Sequence, residues 1–294
     1  MKNQPWQAAV EQELSVQLDN WRQLGGGDFA QSWCAEASGR SGDDSIVGRR
    51  IFVKTHANPP PHHFSTEAKG LRWLKDAEAM NVATVLGVSD DPPYLALEWI
   101  NEGPRTEVSE IEFGAELARL HQATCTHYGR LDERTTGSLG LPNAPSGQWS
   151  EFFATQRLIP LAFIAHERQA LSVQTIARIE QLAQRLSEFT ELDVAPSRLH
   201  GDLWAGNRLV DDAGENWLID PACHGGHREF DLAMMQLFGG FGDSSYRRYD
   251  EHYPLDDGWQ ERIALHQLAP LIVHAIKFGR AYVAPTEAAL ARYI

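Results

Sequence analysis

The stretch His200-Gly201-Asp202-Leu203-Trp204-Ala205-Gly206-Asn207, separated by eleven residues from Ile219-Asp220-Pro221, decides how this chain is read. Between the two runs, Arg208-Leu209-Val210 and Asn216-Trp217-Leu218-Ile219 flank the turn formers Asp211-Asp212-Ala213-Gly214, which is the pattern of a β-hairpin. A hairpin brings its open ends together, so Asn207 and Asp220 are expected to converge at one edge. They offer an amide oxygen and a carboxylate, the hard donors that Mg²⁺ beside a nucleotide phosphate requires. Asp202, five positions before Asn207, is expected close enough to orient a substrate hydroxyl.

An Asp followed five positions later by a metal-binding Asn, with a second Asp beyond, is the order of a kinase catalytic loop. The plainer alternative is that the three residues are turn formers around a hairpin, which is the less favoured reading even when they are taken alone. Residues upstream argue against that reading. Gly25-Gly26-Gly27 precedes a strand-like run, where bare backbone N–H groups can approach phosphates. The full GxGxxG pattern fails because Ala30 takes the last glycine position, and an isolated Gly triplet is more often a plain flexible turn. Lys54 ends the apolar run Ile51-Phe52-Val53, and Glu67 lies on the helical segment that follows. Seen in isolation the two are a solvated lysine and a surface glutamate. In this order they match the kinase Lys–Glu pair that positions the α- and β-phosphates of ATP.

The remaining organisation is consistent with an α+β, protein-kinase-like, two-lobed fold. A small N-lobe with an antiparallel sheet is expected over residues 1–100, a hinge over 101–104, and a larger, mainly helical C-lobe over 105–294. Trp6 to Asn20 reads as a helix, Phe29 to Glu36 and Arg49 to Lys54 as strands joined by the turn-rich Ser38 to Gly48, and Tyr94 to Ile100 as a further strand. Phe64, Leu71 and Leu74 mark a helix inserted among them. Phe113, Leu117 and Leu120 line one later helix, and Ile176, Ile179, Ala183, Leu186 and Phe189 another, at three- and four-residue steps.

The bulk properties narrow the function classes. A net charge of −14 repels nucleic acid and anionic lipid and favours a substrate that carries an amine. The apolar runs Leu158 to Ala165 and Leu268 to Phe278 fall well short of the ~20 residues needed to cross a bilayer, and Met1 to Leu14 lacks the apolar core of a secretory signal. Cys34, Cys125 and Cys223 are odd in number and widely spaced, which fits neither a disulfide framework nor a zinc site and points to a reducing cytoplasm. Cys34 is expected to be a buried, inert thiol, since no neighbouring base would activate it. His62, His63, His224 and His227 have no Cys or acidic residue at metal-site spacing, so they read as solvated loop histidines and no zinc is assigned.

On several segments the chain resembles the fructosamine kinase, or ketosamine-3-kinase, family within the aminoglycoside-phosphotransferase and choline-kinase-like group. These are Leu199 to Asn207, Asp220-Pro221-Ala222, Gly226-His227-Arg228-Glu229-Phe230-Asp231-Leu232-Ala233-Met234 and Leu237-Phe238-Gly239-Gly240-Phe241. Thr136-Gly137-Ser138, Leu141-Pro142-Asn143, Trp149-Ser150-Glu151-Phe152-Phe153 and Arg157-Leu158 extend it to nearly the whole chain. The resemblance implies that Asp202 is the catalytic base, that Asn207 and Asp220 hold Mg²⁺, and that Lys54 and Glu67 position ATP. It further implies that Glu98 and Ile100 bind adenine through their backbone, that Trp204 stacks on a sugar, and that His200 and Asp231 support the catalytic loop. For Trp204 the alternative is packing in the core, as for most indoles.

Two positions depart from the family: Ala205 stands where a Ser is usual, and Asp28 adjoins the glycine loop. Gly201 stands where protein kinases place an Arg that receives a phosphorylated activation loop, and no Ala-Pro-Glu follows Asp220, which argues against a protein kinase.

The reaction implied is ATP-dependent phosphorylation of a ketosamine at its 3-hydroxyl, followed by release of the amine. The ketosamine's sugar part is ribulose, erythrulose or fructose, and the amine is free or protein-linked. A kinase for another amino-alcohol or an aminoglycoside, and a non-catalytic nucleotide-binding module, are the other readings. Nothing in the sequence sets the oligomeric state.

Overall fold

The computed structural model describes residues 4–25, 29–39, 46–131, 134–136, 139–192 and 194–294. Its first half is built on a five-stranded antiparallel sheet. The strands are β1 (Gln17–Leu24), β2 (Gln31–Ser38), β3 (Arg50–Thr55), β5 (Val85–Asp90) and β6 (Pro93–Glu98), in the order β1-β2-β3-β6-β5. Alternation along the strands splits their side chains between two layers. In β6, Tyr94 and Ala96 face helix α1 (Pro5–Leu14) with Ile51 and Val53, whereas Leu95 and Leu97 face helix α2 (His63–Lys75) with Phe64 and Leu71.

The sequence reading of Trp6 to Asn20 as one helix needs correction. The helix stops at Leu14, Ser15 turns back with φ of 54°, and Gln17 onwards pairs antiparallel with β2. Val16 and Leu18 fit both a helical and a strand period, and only the partner strand separates the two. The strand β5 was also absent from that reading, since its pairing partner β6 and its cover, α1 and α2, settle its conformation.

The second half is mainly helical. Helices α4 (Trp149–Phe153), α5 (Ile159–Glu167), α6 (Val173–Arg185), α7 (Glu229–Phe238), α9 (Trp259–Phe278) and α10 (Val283–Leu290) surround a core that includes Trp149, Phe152, Phe153, Ile179 and Leu268, while α3 (Glu107–Gln122) and α8 (Asp243–His252) pack Phe113, Leu117 and Tyr249 into the cluster that holds Phe64 and Leu71. A π-helical turn over Ala154–Leu158 links α4 to α5.

Four short strands complete the site. β7 (Ser197–Leu199) pairs with β10 (His224–Gly226), and β8 (Arg208–Val210) and β9 (Asn216–Leu218) form the hairpin. A two-residue strand, β4 (Asn81–Val82), runs parallel to β9 and ties the first half to the second. The segment after β6 is stitched to the hairpin turn as well. Asp212 N donates to Asn101 O at 3.0 Å and Gly103 N to Val210 O at 2.8 Å. A Cβ at Gly103 would lie 2.3 Å from Asp211 O, so only glycine permits that approach.

Candidate active site

The hairpin converges as its sequence demands. Asn207 lies in the turn just before β8 and Asp220 just after β9, and Asn207 Nδ2 donates to the Asp220 carbonyl at 3.4 Å. The same amide donates to Asp202 O at 2.8 Å and to Asp202 Oδ2 at 3.2 Å. With its nitrogen turned to Asp202, the Asn207 amide presents its oxygen on the other side. Asp220 holds φ at 55°, a left-handed conformation that costs a non-glycine residue ~1 kcal/mol and here aims its carboxylate across the cleft.

Across the cleft, β3 and α2 bring Lys54 and Glu67 together at 2.7 Å, both buried. Lys54 also pairs with Asp220. Burial works against the lysine's charge, but Asp220 and Glu67 outweigh it and hold its pKa above the ordinary value. Gly25 directly follows β1, while Gly26 and Gly27 lie outside the described residues. Phe29 stacks on His56 at 4.5 Å and tilts onto His63 at 4.7 Å. Ile100 follows β6, and its backbone forms no hydrogen bond among the described residues. Glu98 spends its side chain on Thr84 N at 2.7 Å.

The Asp202 loop is held from behind. Asp231, at the start of α7, accepts from His200 N at 2.7 Å and Gly201 N at 2.9 Å, and its Oδ2 lies 3.3 Å from His121 Nε2. Burial disfavours its charge, yet these hydrogen bonds keep its pKa below the usual carboxylate range. His200 Nε2 in turn bonds Ile219 O at 2.9 Å, which locks the loop to β9. Gly201 has φ of 80°, and a Cβ there would meet Ala222 O at 2.1 Å, so glycine is demanded by geometry. Arg105 binds the loop from the front, through Ala205 O at 2.5 Å and Arg208 O at 2.7 Å.

Asp202 itself has its pKa pushed up to about 7, first by burial and then by the Asp220 carboxylate, with Asn207 opposing. It lines a cavity of about 780 Å³ whose mouth carries Trp204. That indole is 42 % exposed, so it is not a core residue, and its ring lies where any Cβ on Gly206 would stand.

His121 and Arg105 were not singled out in the sequence, and Arg157 entered only as part of the matching segment Arg157-Leu158, with no role given to it. The histidines need a correction. His62 is exposed, but His63, His224 and His227 are buried. His224 packs beside both Trp149 and Phe152, where burial pushes its pKa down to about 3. His227, Glu229 and His266 gather with ligand atoms within 4.8 Å of one another, but both Glu229 oxygens accept from Arg262, at 2.9 and 2.6 Å. Cys34 is buried, and burial raises its thiol pKa.

The fold and these convergent side chains define the class of protein-kinase-like phosphotransferases that act on an alcohol group. The fructosamine kinase family model matches residues 1–294. The chain belongs to the fructosamine kinase family. It is 34 % identical over 235 residues to a probable ketoamine kinase of Enterococcus faecium, covering 80 % of this chain and 84 % of that one. It is 31 % identical over 240 residues to the chloroplastic protein-ribulosamine 3-kinase of Arabidopsis thaliana, covering 79 % and 72 %. A candidate fructosamine-3-kinase of Thermobifida fusca has the same fold, with a TM-score of 0.88, 34 % identity and 98 % of both chains covered. Among the described residues no helix is long and apolar enough to cross a membrane.

Proposed function

We propose that this protein transfers a phosphoryl group from ATP to the 3-hydroxyl of a ketosamine, and that the product then sheds phosphate and amine, so that a glycated amine is recovered. The observation that carries this reading is the position of Asp202. Its carboxylate lies between the Lys54–Glu67–Asp220 group on one side and a cavity of sugar-plus-amine size on the other. With a pKa near 7 it can accept the hydroxyl proton at neutral pH. Lys54, pre-set by two carboxylates, holds ATP phosphates, and residues 101–104 form the hinge whose neighbours Glu98 and Ile100 take adenine. The partly buried Phe52, Ile100 and Ile219 support an apolar slot there. Trp204 covers one face of the sugar.

The oxygens of Asn207 and Asp220 suit Mg²⁺, which when bound neutralises phosphate charge. His200 and Asp231 keep the loop rigid, so that Asp202 needs no rearrangement to act. The likeness to a protein-ribulosamine 3-kinase supports a ketosamine substrate. The three cysteines, none in a disulfide, support a cytoplasmic location.

The test is Mg²⁺-dependent ATP consumption with ribulose-lysine, erythrulose-lysine and fructose-lysine, comparing wild type with Asp202→Asn. Turnover lost in the variant supports the reading. Turnover with choline or an aminoglycoside instead would transfer the mechanism to another alcohol, and no turnover with any of them would leave a nucleotide-binding module.

A further inference from the structure

The cavity beside Asp202 has the volume of a site for a drug-sized ligand, more than a five- or six-carbon sugar fills. Its far wall is a cluster of rings around His274, with centroids 4.7 Å to Phe238, 5.3 Å to Phe278 and 4.9 Å to Tyr282. Asp202 is the one carboxylate among the described residues that line it, and the cations are Arg157 and Lys277.

Arg157 is the unusual member of that wall. It is 3 % exposed and projects from the π-helical turn, an irregularity that is frequent at functional sites. Its guanidinium donates to Pro142 O at 2.7 Å, Gln156 O at 2.9 Å and Asn143 Oδ1 at 2.9 Å, all neutral. Among the described residues no carboxylate pairs with it, and its remaining contact is with the Phe152 ring, whose centroid lies 4.6 Å from the guanidinium carbon. Burial unopposed by any negative charge pushes its pKa down to about 9. A buried cation without a counter-charge is costly, and an anion entering the cavity would remove that cost.

Resting on the ketosamine reading, we propose that Arg157 and Lys277 bind a carboxylate on the amine half of the substrate while the ring wall takes an apolar side chain. The substrates favoured are then ketosamines of free amino acids with apolar side chains. Such a compound is a zwitterion, with an ammonium next to the sugar and a carboxylate beyond it. The cavity offers the matching charges, one acid beside Trp204 and two cations. Protein-linked lysine adducts carry no carboxylate at that position.

The experiment compares kcat/KM for the ribulose adducts of phenylalanine, phenethylamine, glycine and Nα-acetyl-lysine amide in wild type, Lys277→Met and Arg157→Gln. Wild type is expected to favour the phenylalanine adduct over the phenethylamine adduct about tenfold, the worth of one charge-assisted hydrogen bond. It should also favour the phenylalanine adduct over the glycine adduct. Lys277→Met, at a partly exposed position, should lower the phenylalanine value by about tenfold more than the phenethylamine value. Arg157→Gln should do the same, with its melting temperature followed alongside. Equal rates on the phenylalanine and phenethylamine adducts, a preference for the lysine amide, or one common loss across all adducts in Lys277→Met would overturn the subsite while leaving the reaction standing. Failure of wild type to turn over any adduct would overturn the reaction and the subsite together.

Discussion

On the Lys54 side of Asp202 the buried ammonium of Lys54 is held by two carboxylates, whereas on the cavity side the buried guanidinium of Arg157 is held by three neutral oxygens. The difference shows where charge is balanced within the chain and where it is not. Lys54 is oriented by its two carboxylates before any ligand is present. Arg157 carries a desolvation penalty that the proposed substrate carboxylate would relieve. Asp202 stands between the two, raised toward neutrality by burial and by the Asp220 carboxylate.

The largest effect is expected where the two sides meet. Asp202→Asn should lower kcat by about 10³-fold, within the range for loss of a general base, with the protein still folded. Single-turnover assays would show it, and a drop under tenfold would remove Asp202 from the chemistry.

Next in size, Lys54→Met breaks the settled side and leaves Glu67 buried without its cation. Stability should fall by about 3 kcal/mol in urea unfolding at pH 8 and partly recover at pH 5, where the carboxyl can take a proton. A pH-independent loss would mean that the pair matters only for packing.

Asp202 also leaves a mark on stability. Its folded pKa of about 7 exceeds the unfolded value of about 3.9. The folded state therefore loses stability as pH rises from 4 to 7, and the penalty is complete above 7. Asp202→Asn should thus melt several degrees above wild type at pH 8 and equal it near pH 4. The same difference at both pH values would show that Asp202 ionises normally.

Trp204→Ala is the mildest change. The exposed ring contributes little to the core, so the melting temperature should stay within a degree or two. KM for the ketosamine should rise several-fold, in line with ~1 kcal/mol of ring contact. An unchanged KM would leave the sugar without its stacking partner.

Much of the nucleotide side was readable in advance because its parts are local. The β8–β9 hairpin carries its own turn, and α2 carries Glu67 on the face set by Phe64, Leu71 and Leu74. The glycine triplet was read as a loop ahead of one strand, without the strand β1 before it, and Gly26 and Gly27 fall outside the described residues. The cavity side was scarcely readable. Arg157 was legible only as part of the matching segment Arg157-Leu158, and its burial follows from the packing of α4, the π-turn and the loop around Pro142 and Asn143. His224 and His227 looked solvated because their spacing fits no metal site, yet Trp149, Phe152 and Phe230 enclose the first and Trp149 and His266 flank the second.

The sequence by itself determined the elements that close within about twenty residues: the hairpin that joins Asn207 to Asp220, the strand that carries Lys54, and the helices with three- and four-residue apolar steps. Hydrophobic period and turn chemistry act over that range, so they can be read off the chain. Tertiary structure alone decided that Gln17–Leu24 is a strand, that His121 and Asp231 meet behind the Asp202 loop, and that Arg157 lies buried on the cavity wall. Each of those outcomes depends on a partner far away in the chain, and burial and pairing with that partner outweigh the local preference.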